Sequence, residues 1–362
     1  MAINQKRVFY VNRLLSGEYI EVLEKRPDVR LDKLVNASPA DETEEILTTA
    51  HAYQIGASRD ELAPHFFANK TLLARAQNLL VVSTNSAGYD TVDVDDCTAA
   101  GVLAVNQAGG NAEAVAEHAL ALMLCLTKRI VETDRIMRRQ ADIPRNNYMG
   151  RNLLEKTVGG IGIGIGIGIG IGIGIGHVGT RVAELCKGLF NARMLACDPY
   201  LSAEQIAARG TEKISLSKLL SRADFVSVHC PRTNETIGLI GAAQFALMQP
   251  HAYFINTARG GIHDEAALAD VLHAKKIAGA GLDVWDPEPP DPNHPLLAFD
   301  TVVASPHTAG ITRESRANIA TIAAEQMLDI LDGKRPPRLL NPEVWPAYAA
   351  RFERIMGFKP AG

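Results

Sequence analysis

The stretch TVGGIGIGIGIGIGIGIGIGHVGTRVAELCKG, Thr157 to Gly188, holds eight consecutive Ile-Gly dipeptides, from Ile161 to Gly176. It is either a low-complexity tract without a role or the cover of a phosphate-binding turn. A dinucleotide turn needs G-x-G-x-x-G: one glycine for the tight turn, one for approach of the pyrophosphate, one for close helix packing. Every glycine inside the repeat is even-numbered, whereas the last two glycines of the motif stand three apart and so differ in parity. Gly179 lies three beyond Gly176, so the frame is Gly174, Gly176, Gly179. His177 and Val178 fall inside the turn and count as cofactor-contacting positions, with no specific task for the His177 side chain. A helix opening near His177 aims its N-terminal amides at phosphates. Its apolar residues Val178, Val182, Leu185, Cys186 and Leu189 are spaced to pack on a sheet.

Downstream, the segment ARMLAC reads as a strand and ends at Asp198, 19 residues past Gly179. An acidic residue there accepts hydrogen bonds from the ribose hydroxyls and repels a 2'-phosphate, which favours NAD over NADP. The plainer reading is that Asp198 only starts a turn with Pro199. Further strand-like runs follow, DFVSVH, AYFIN, AGAGLDV and TVVAS, with helical stretches such as DEAALADVLHAKK between them. This alternation predicts an α/β, doubly wound parallel sheet, whose ligands sit at the carboxyl ends of the strands. Those ends carry Cys230 and Pro231, then Thr257, Ala258 and Arg259, then Asp283 and Glu288, and finally His307. The first four are candidates for lining the cofactor site, although Cys230 also reads as a packed thiol.

Arg, Glu and His at successive strand ends suit hydride transfer on a 2-oxo or 2-hydroxy acid. A guanidinium fork holds the carboxylate and polarises the carbonyl. An imidazole exchanges the proton, and a carboxylate beside it fixes the tautomer.

The segments NAEAVAEHALAL, GIGHVGTRVA, PRTNETIGLIG, INTARGGIHDEAAL, GAGLDVWDPEP and SPHTAG resemble the D-isomer-specific 2-hydroxyacid dehydrogenases, over residues 80–342. The resemblance implies that Arg259 binds the substrate carboxylate and carbonyl, that His307 is the acid/base and that Glu288 is its partner. It implies that Asp283 contacts the nicotinamide carboxamide. Ser86, Ala87 and Gly88, in NSAGYD, would bind the substrate carboxylate through their amides. It also implies a Rossmann cofactor domain at 107–308, inserted into a smaller flavodoxin-like α/β substrate domain made of 1–106 and 309–342, with 343–362 a C-terminal tail. The helical stretch from Asn111 to Gln140 resembles the family's dimerisation element, so a homodimer is expected. Residue by residue that stretch must bury nearly all round, which a core helix would also explain.

The 362 residues and net charge of -4 suggest two domains and no nucleic-acid or anionic-membrane partner. Five scattered cysteines and the absence of a leader-like N-terminus lead to an expected cytoplasmic location with reduced thiols. The remaining histidines show no metal-binding spacing, so no metal is expected. Relatives that sense NAD as binding or regulatory proteins are the rival class; the lack of a long polar extension speaks against them. Too few residues follow LLNPEV for a further regulatory domain.

Removing six Ile-Gly dipeptides leaves VGGIGIGHVG, which fits the family turn without a gap. The surplus of 12 residues would add on the order of 40 Å of strand, more than a sheet can pair. It must loop out before the turn or come from DNA slippage or a sequence error. A real surplus would expose isoleucines and impair cofactor binding.

Overall fold

The computed structural model describes residues 5–14, 16–162 and 176–361. They form two compact units, one from residues up to Asn111 and from Arg313 onward, the other from Ala112 to Thr312. Gly174 and the surplus repeat lie outside the described residues.

The first unit is built on five strands: β1 Lys6–Val11, β2 Val29–Leu34, β3 Ala52–Ile55, β4 Val81–Thr84 and β5 Leu103–Val105. All pair in parallel, in the order β2-β1-β3-β4-β5, the flavodoxin-like arrangement. β3 and β4 are buried at every residue, the polar Gln54, Ser83 and Thr84 included, as strands of a sheet covered on both faces are. One face packs Phe9, Tyr53, Phe66 and Leu72, with Phe9 and Tyr53 stacked at 4.1 Å. The other packs Ala324, Met327 and Leu331 of the helix Arg313–Leu331. The last residues, expected to be a tail, instead form a helix, Trp345–Met356, whose Tyr348 and Phe352 are fully buried in that second face. Their spacing of four residues puts both rings on one helix face, and burying the Phe352 ring stabilises by about 1.5–3 kcal/mol, whereas the Tyr348 hydroxyl is buried without a partner among the described residues.

The second unit holds β6 Thr157–Ile161, β7 Arg193–Cys197, β8 Glu212–Lys213, β9 Phe225–Val228, β10 Tyr253–Asn256, β11 Gly279–Leu282 and β12 Val302–Ala304. They pair in parallel in the order β12-β11-β10-β9-β6-β7-β8. The strand order reverses at β6, which pairs with both β7 and β9, and a crevice opens at such a switch point. The helix His177–Phe190 starts there with Gly176 as its N-cap and ends at Asn191 in the left-handed region, φ 49°. It buries Gly179, Val182, Ala183 and Cys186. Leu189, expected on the packed face, is 62% exposed, because the buried stripe turns away from the last helical turn.

The stretch from Asn111 is two helices, Ala112–Thr127 and Ile130–Met137, and not one. They break at Arg129, whose φ is 56° and whose guanidinium is held by Glu132 and the Asn147 carbonyl. The first of them lies on the sheet where β11 has no side chain: a Cβ on Gly281 would stand 2.9 Å from the Leu122 Cβ. Its apolar residues are therefore spent largely within its own unit. Among the described residues, no helix is long and apolar enough to cross a membrane, and no group of His, Cys, Asp and Glu could hold a metal ion.

Candidate active site

Three neighbouring strands deliver the chemistry. β10 ends at Asn256, whose side chain shapes the turn after it: Oδ1 accepts the Ala258 N–H at 2.9 Å, and Nδ2 donates to the Arg259 carbonyl at 3.0 Å. The same Nδ2 donates to His263 Nδ1 at 3.0 Å, so the proton of the buried His263 ring sits on Nε2. Arg259 is thereby fixed by its backbone, and its Nη1 donates to the Ala258 carbonyl at 2.8 Å.

The loop after β11 carries Asp283, Trp285 and Glu288. The Trp285 N–H donates to Glu288 Oε1 at 2.9 Å, and Glu288 Oε2 lies 2.8 Å from His307 Nδ1. Both carboxylate oxygens are thus aimed, one by the backbone and one at the imidazole. Burial alone would raise the Glu288 carboxyl, but the His307 bond and charge, the Trp285 N–H and the Arg259 charge outweigh it. Its pKa lies below the ordinary glutamate value, and it is ionised at neutral pH. The Trp285 indole, itself buried, donates Nε1–H to the Ser305 carbonyl at 3.0 Å and ties this loop to the one after β12.

That second loop presents His307 with φ 56°, a conformation rare for residues with a side chain. Asp283 holds it there. Its carbonyl accepts the His307 N–H at 2.7 Å, Oδ1 accepts the Thr308 N–H at 2.8 Å and Oδ2 the Ala309 N–H at 2.9 Å. The Ser305 hydroxyl adds a third bond to the carboxylate, at 2.6 Å on Oδ1. Asp283 is fully buried, and of about four lone-pair positions on its carboxylate at most one is left for a carboxamide.

The residues read as cofactor-contacting stand around the switch point. Gly176 caps the helix His177–Phe190, and a Cβ there would stand 3.9 Å from the His229 carbonyl of the adjoining strand end. His177 is exposed, Val178 half-buried and Gly179 buried. Asp198 is buried just past β7, and its Oδ1 accepts the Tyr200 N–H at 2.9 Å, so it does serve the Asp-Pro turn. Burial pushes the Cys230 thiol up to about 12, with Cys197 and Asp198 adding to the shift, so Cys230 is a packed, protonated thiol. Pro231 accepts the Thr236 hydroxyl at its carbonyl, and Ala258 is half-buried. Thr257 Oγ1 and both ring nitrogens of His229 are buried without a partner among the described residues. Orphaned polar atoms at two strand ends, beside a helix N-terminus and a buried carboxylate, fit a dinucleotide with hydroxyl, phosphate and carboxamide groups.

In the other unit, the loop after β4 turns its carbonyls inward. Ser86 O accepts from the Gln107 N–H and the Thr84 hydroxyl, and Ala87 O accepts from Asn106 Nδ2. The Gln107 side chain braces the loop through Ser83 Oγ and the Thr84 carbonyl. Among the described residues the N–H groups of Ser86, Ala87 and Gly88 make no hydrogen bond. Successive free amides of this kind suit a carboxylate.

Trp285, Ser305, Asn256 and His118 were not singled out from sequence. The indole and the Ser305 hydroxyl act through partners remote in the chain, and the Asn256 side chain acts on the turn that directly follows it. His118 alone carried a signal, as a polar residue within the apolar run AVAEHALALML.

Residues 120–309 match the family model for the D-isomer specific 2-hydroxyacid dehydrogenase NAD binding domain. The chain is 39% identical over 288 residues to a D-3-phosphoglycerate dehydrogenase of Archaeoglobus fulgidus, covering 79% of this chain and 51% of that protein. It is 39% identical over 273 residues to a glyoxylate reductase of Thermofilum pendens, covering 74% of this chain and 77% of that one. It thus spans about half the length of the first relative and most of the second. A D-lactate dehydrogenase from Aquifex aeolicus, solved with NAD and lactic acid, superposes with a TM-score of 0.71 at 26% identity, over 90% of this chain and 96% of that one. Sequence, strand order and site geometry agree with these matches: the chain belongs to the D-isomer specific 2-hydroxyacid dehydrogenase family, with NAD as the cofactor of its matched domain.

Proposed function

We propose that the protein interconverts a 2-oxo acid and a D-2-hydroxy acid. The observation that carries this reading is the 2.8 Å bond between His307 Nδ1 and a Glu288 carboxylate whose other oxygen is fixed by the Trp285 N–H. Bound NADH supplies the hydride. With Nδ1–H directed at Glu288, the Nε2 side of His307 exchanges the substrate proton, as acid in reduction and as base in oxidation. Glu288 stabilises the charged imidazole. Arg259 holds the carboxylate and stabilises charge growing on the carbonyl oxygen. In its own unit, the loop of Ser86, Ala87 and Gly88 would offer its amides to a carboxylate.

For the cofactor, Gly174, Gly176, His177, Val178 and Gly179 would face the pyrophosphate and Asp198 the ribose. Cys230, Pro231, Thr257 and Ala258 would line the remainder through backbone and the Thr257 hydroxyl, and Asp283 would offer one oxygen to the carboxamide. The same reading assigns 107–308 to the cofactor domain and 1–106 with 309–342 to the substrate domain. Free thiols at all five cysteines support a cytoplasmic location.

The relatives' names suggest glyoxylate, D-lactate and phosphorylated acids as substrate classes. The test is the loss of NADH absorbance with glyoxylate, pyruvate and a phosphorylated 2-oxo acid, run in parallel with NADPH. NADH binding without turnover of any of them would favour a binding or regulatory role. Activity confined to NADPH would overturn the Asp198 assignment.

A homodimer belongs to the same proposal. Ile130 (51% exposed), Met137 (71%) and Met149 (76%) follow the helix Ala112–Thr127 and are exposed apolar side chains that a second copy would cover. Light scattering that returns the monomer mass at micromolar concentration would refute it.

A further inference from the structure

The Asp283 carboxylate is organised from a second direction. Ser305 Oγ lies 2.6 Å from Asp283 Oδ1 and 2.9 Å from His118 Nε2. A hydroxyl has one proton, and an ionised carboxylate can only accept, so that proton points to Asp283. Toward His118 the serine oxygen must therefore accept, and His118 Nε2 carries a proton. Donation runs one way, from His118 to Ser305 to Asp283, and His118 Nε2 is itself 3.8 Å from Asp283 Oδ1.

The chain of bonds crosses the unit. His118 sits in the helix Ala112–Thr127, 187 residues from Ser305. Ser305 opens the turn that carries His307, and it is pinned at its own N–H by the Leu282 carbonyl and at its carbonyl by the Trp285 indole. Asp283, with its side chain fully buried, then takes the N–H groups of residues 307, 308 and 309. A buried carboxylate keeps one orientation only while its donors do. Loss of the serine bond leaves Oδ1 with the Thr308 N–H alone and loosens the carboxylate, and with it the turn that keeps His307 in its left-handed conformation.

We propose that His118 is a positioning residue for the reaction: by donating to Ser305 it fixes the Asp283 carboxylate, which holds the 305–309 turn so that His307 meets Glu288. The proposal rests on the reading of His307 as the acid/base.

The test compares His118→Phe, which keeps the volume and loses the donor, with His118→Gln, which restores an N–H donor, and with Ser305→Ala. Two readouts are taken: kcat and KM on the best 2-oxo acid, and the titration of the His307 imidazole by NMR without cofactor, its signal identified by loss in His307→Asn. His118→Phe is expected to lower kcat about tenfold with KM changed less than about twofold, and to displace the His307 titration. His118→Gln should recover most of both. Ser305→Ala should match His118→Phe, and the double variant should lose no more than either alone. Additive displacements would mean that His118 acts on His307 without the serine and would overturn the proposal. So would a His118→Phe variant with lower thermal stability but an unmoved titration, which marks a purely structural contact. If the unaltered chain reduces no 2-oxo acid, the acid/base reading fails separately, and the NMR arm still decides whether His118 positions His307.

Discussion

The Trp285 carbonyl oxygen occupies the space where a side chain on Gly260 would begin: a Cβ built there would stand 1.9 Å from it. The loop carrying Arg259 and the loop carrying Glu288 can therefore lie against each other only because residue 260 has no side chain. A methyl group cannot be accommodated by moving a flexible tip, because the atom it meets is backbone. Gly260→Ala is expected to separate the loops, lowering stability by about 1–3 kcal/mol and kcat/KM by more than tenfold. Thermal unfolding and steady-state kinetics on the same preparation check both. Wild-type kinetics in this variant would show that the two loops need not touch for Arg259 and Glu288 to work together.

His307→Ala should reduce kcat by about 10²–10⁴-fold while NADH affinity stays nearly intact. The imidazole bonds the Glu288 carboxylate, so its removal leaves the Gly176 helix cap and the Asp198 turn as they are. Tryptophan-to-NADH energy transfer gives the affinity and absorbance the rate. Turnover within twofold of the unaltered protein would remove His307 from the mechanism.

Glu288→Gln tests the bond on the other side of the imidazole. A carboxylate accepts at both oxygens, from the Trp285 N–H and from His307 Nδ1–H. Glutamine has one acceptor oxygen and cannot serve both donors. Either the loop contact or the tautomer of His307 is lost, and kcat should fall about 10²-fold. The variant also lacks the negative charge that stabilises the protonated imidazole. In the proposed mechanism reduction needs that protonated form, so the high-pH fall of the reduction rate should move to lower pH. A pH–rate profile that drops in height without moving would indicate that Glu288 only orients the ring.

Acid stability should show two steps. Burial pushes His229 down to about 4, and burial with the His294 charge does the same to His263. Folded pKa values below the ordinary histidine value of about 6.5 mean that only the unfolded chain takes up these protons between the two. Their contribution is complete above about pH 6.5 and declines as the pH falls toward 4. The cluster of Lys6, Arg26, Asp28 and Asp332 acts lower. Bonds from Arg26 hold both carboxyls down, Asp332 to about 2, so their stabilisation is present above about pH 4 and is lost as the pH falls toward 2. The unfolding temperature should fall between pH 6.5 and 4 and more steeply below. His263→Gln should flatten the upper step only. A flat profile down to pH 4 in the unaltered chain would mean that these imidazoles are not kept neutral by the fold.

Much of this site can be read from the residues, for a physical reason. Parallel strands covered on both faces are predominantly apolar, so FVSV, YFIN and GAGL stand out, and the polar residues at and after their ends mark the carboxyl ends. Arg259, Asp283, Glu288 and His307 are therefore visible as candidates in the sequence itself. What a linear reading cannot show is the support beneath them. The His118–Ser305 bond joins residues 187 apart, the Trp285 indole bonds a carbonyl, and the Asn256 side chain builds a turn; none of these leaves a spacing signal. The helix break at Arg129 is illegible for a similar reason. Lys128, Arg129 and Ile130 continue a helical pattern, and the left-handed residue is held by Glu132 and the Asn147 carbonyl. The C-terminal helix, by contrast, has a legible pattern: Trp345, Tyr348, Phe352 and Met356 recur at helical spacing and pack on the second face of the first sheet.

The Ile-Gly tract sets a last expectation, at the level of the polypeptide. The family turn needs two of the eight dipeptides, so the other six, 12 residues, lengthen the segment between β6 and the helix His177–Phe190 without adding to the motif. If they are translated, the intact mass equals that of the sequence, 39.0 kDa. A mass lower by about 1 kDa, the weight of six Ile-Gly dipeptides at roughly 170 Da each, would show that they are absent from the protein. A chain shortened by those 12 residues keeps the glycine frame that ends at Gly179, because removing whole dipeptides preserves its parity. It should therefore bind NADH at least as tightly as the full-length chain and unfold at no lower temperature. Weaker binding by the shortened form would mean that the turn draws on glycines further back in the repeat, and that the register set by Gly176 and Gly179 is wrong.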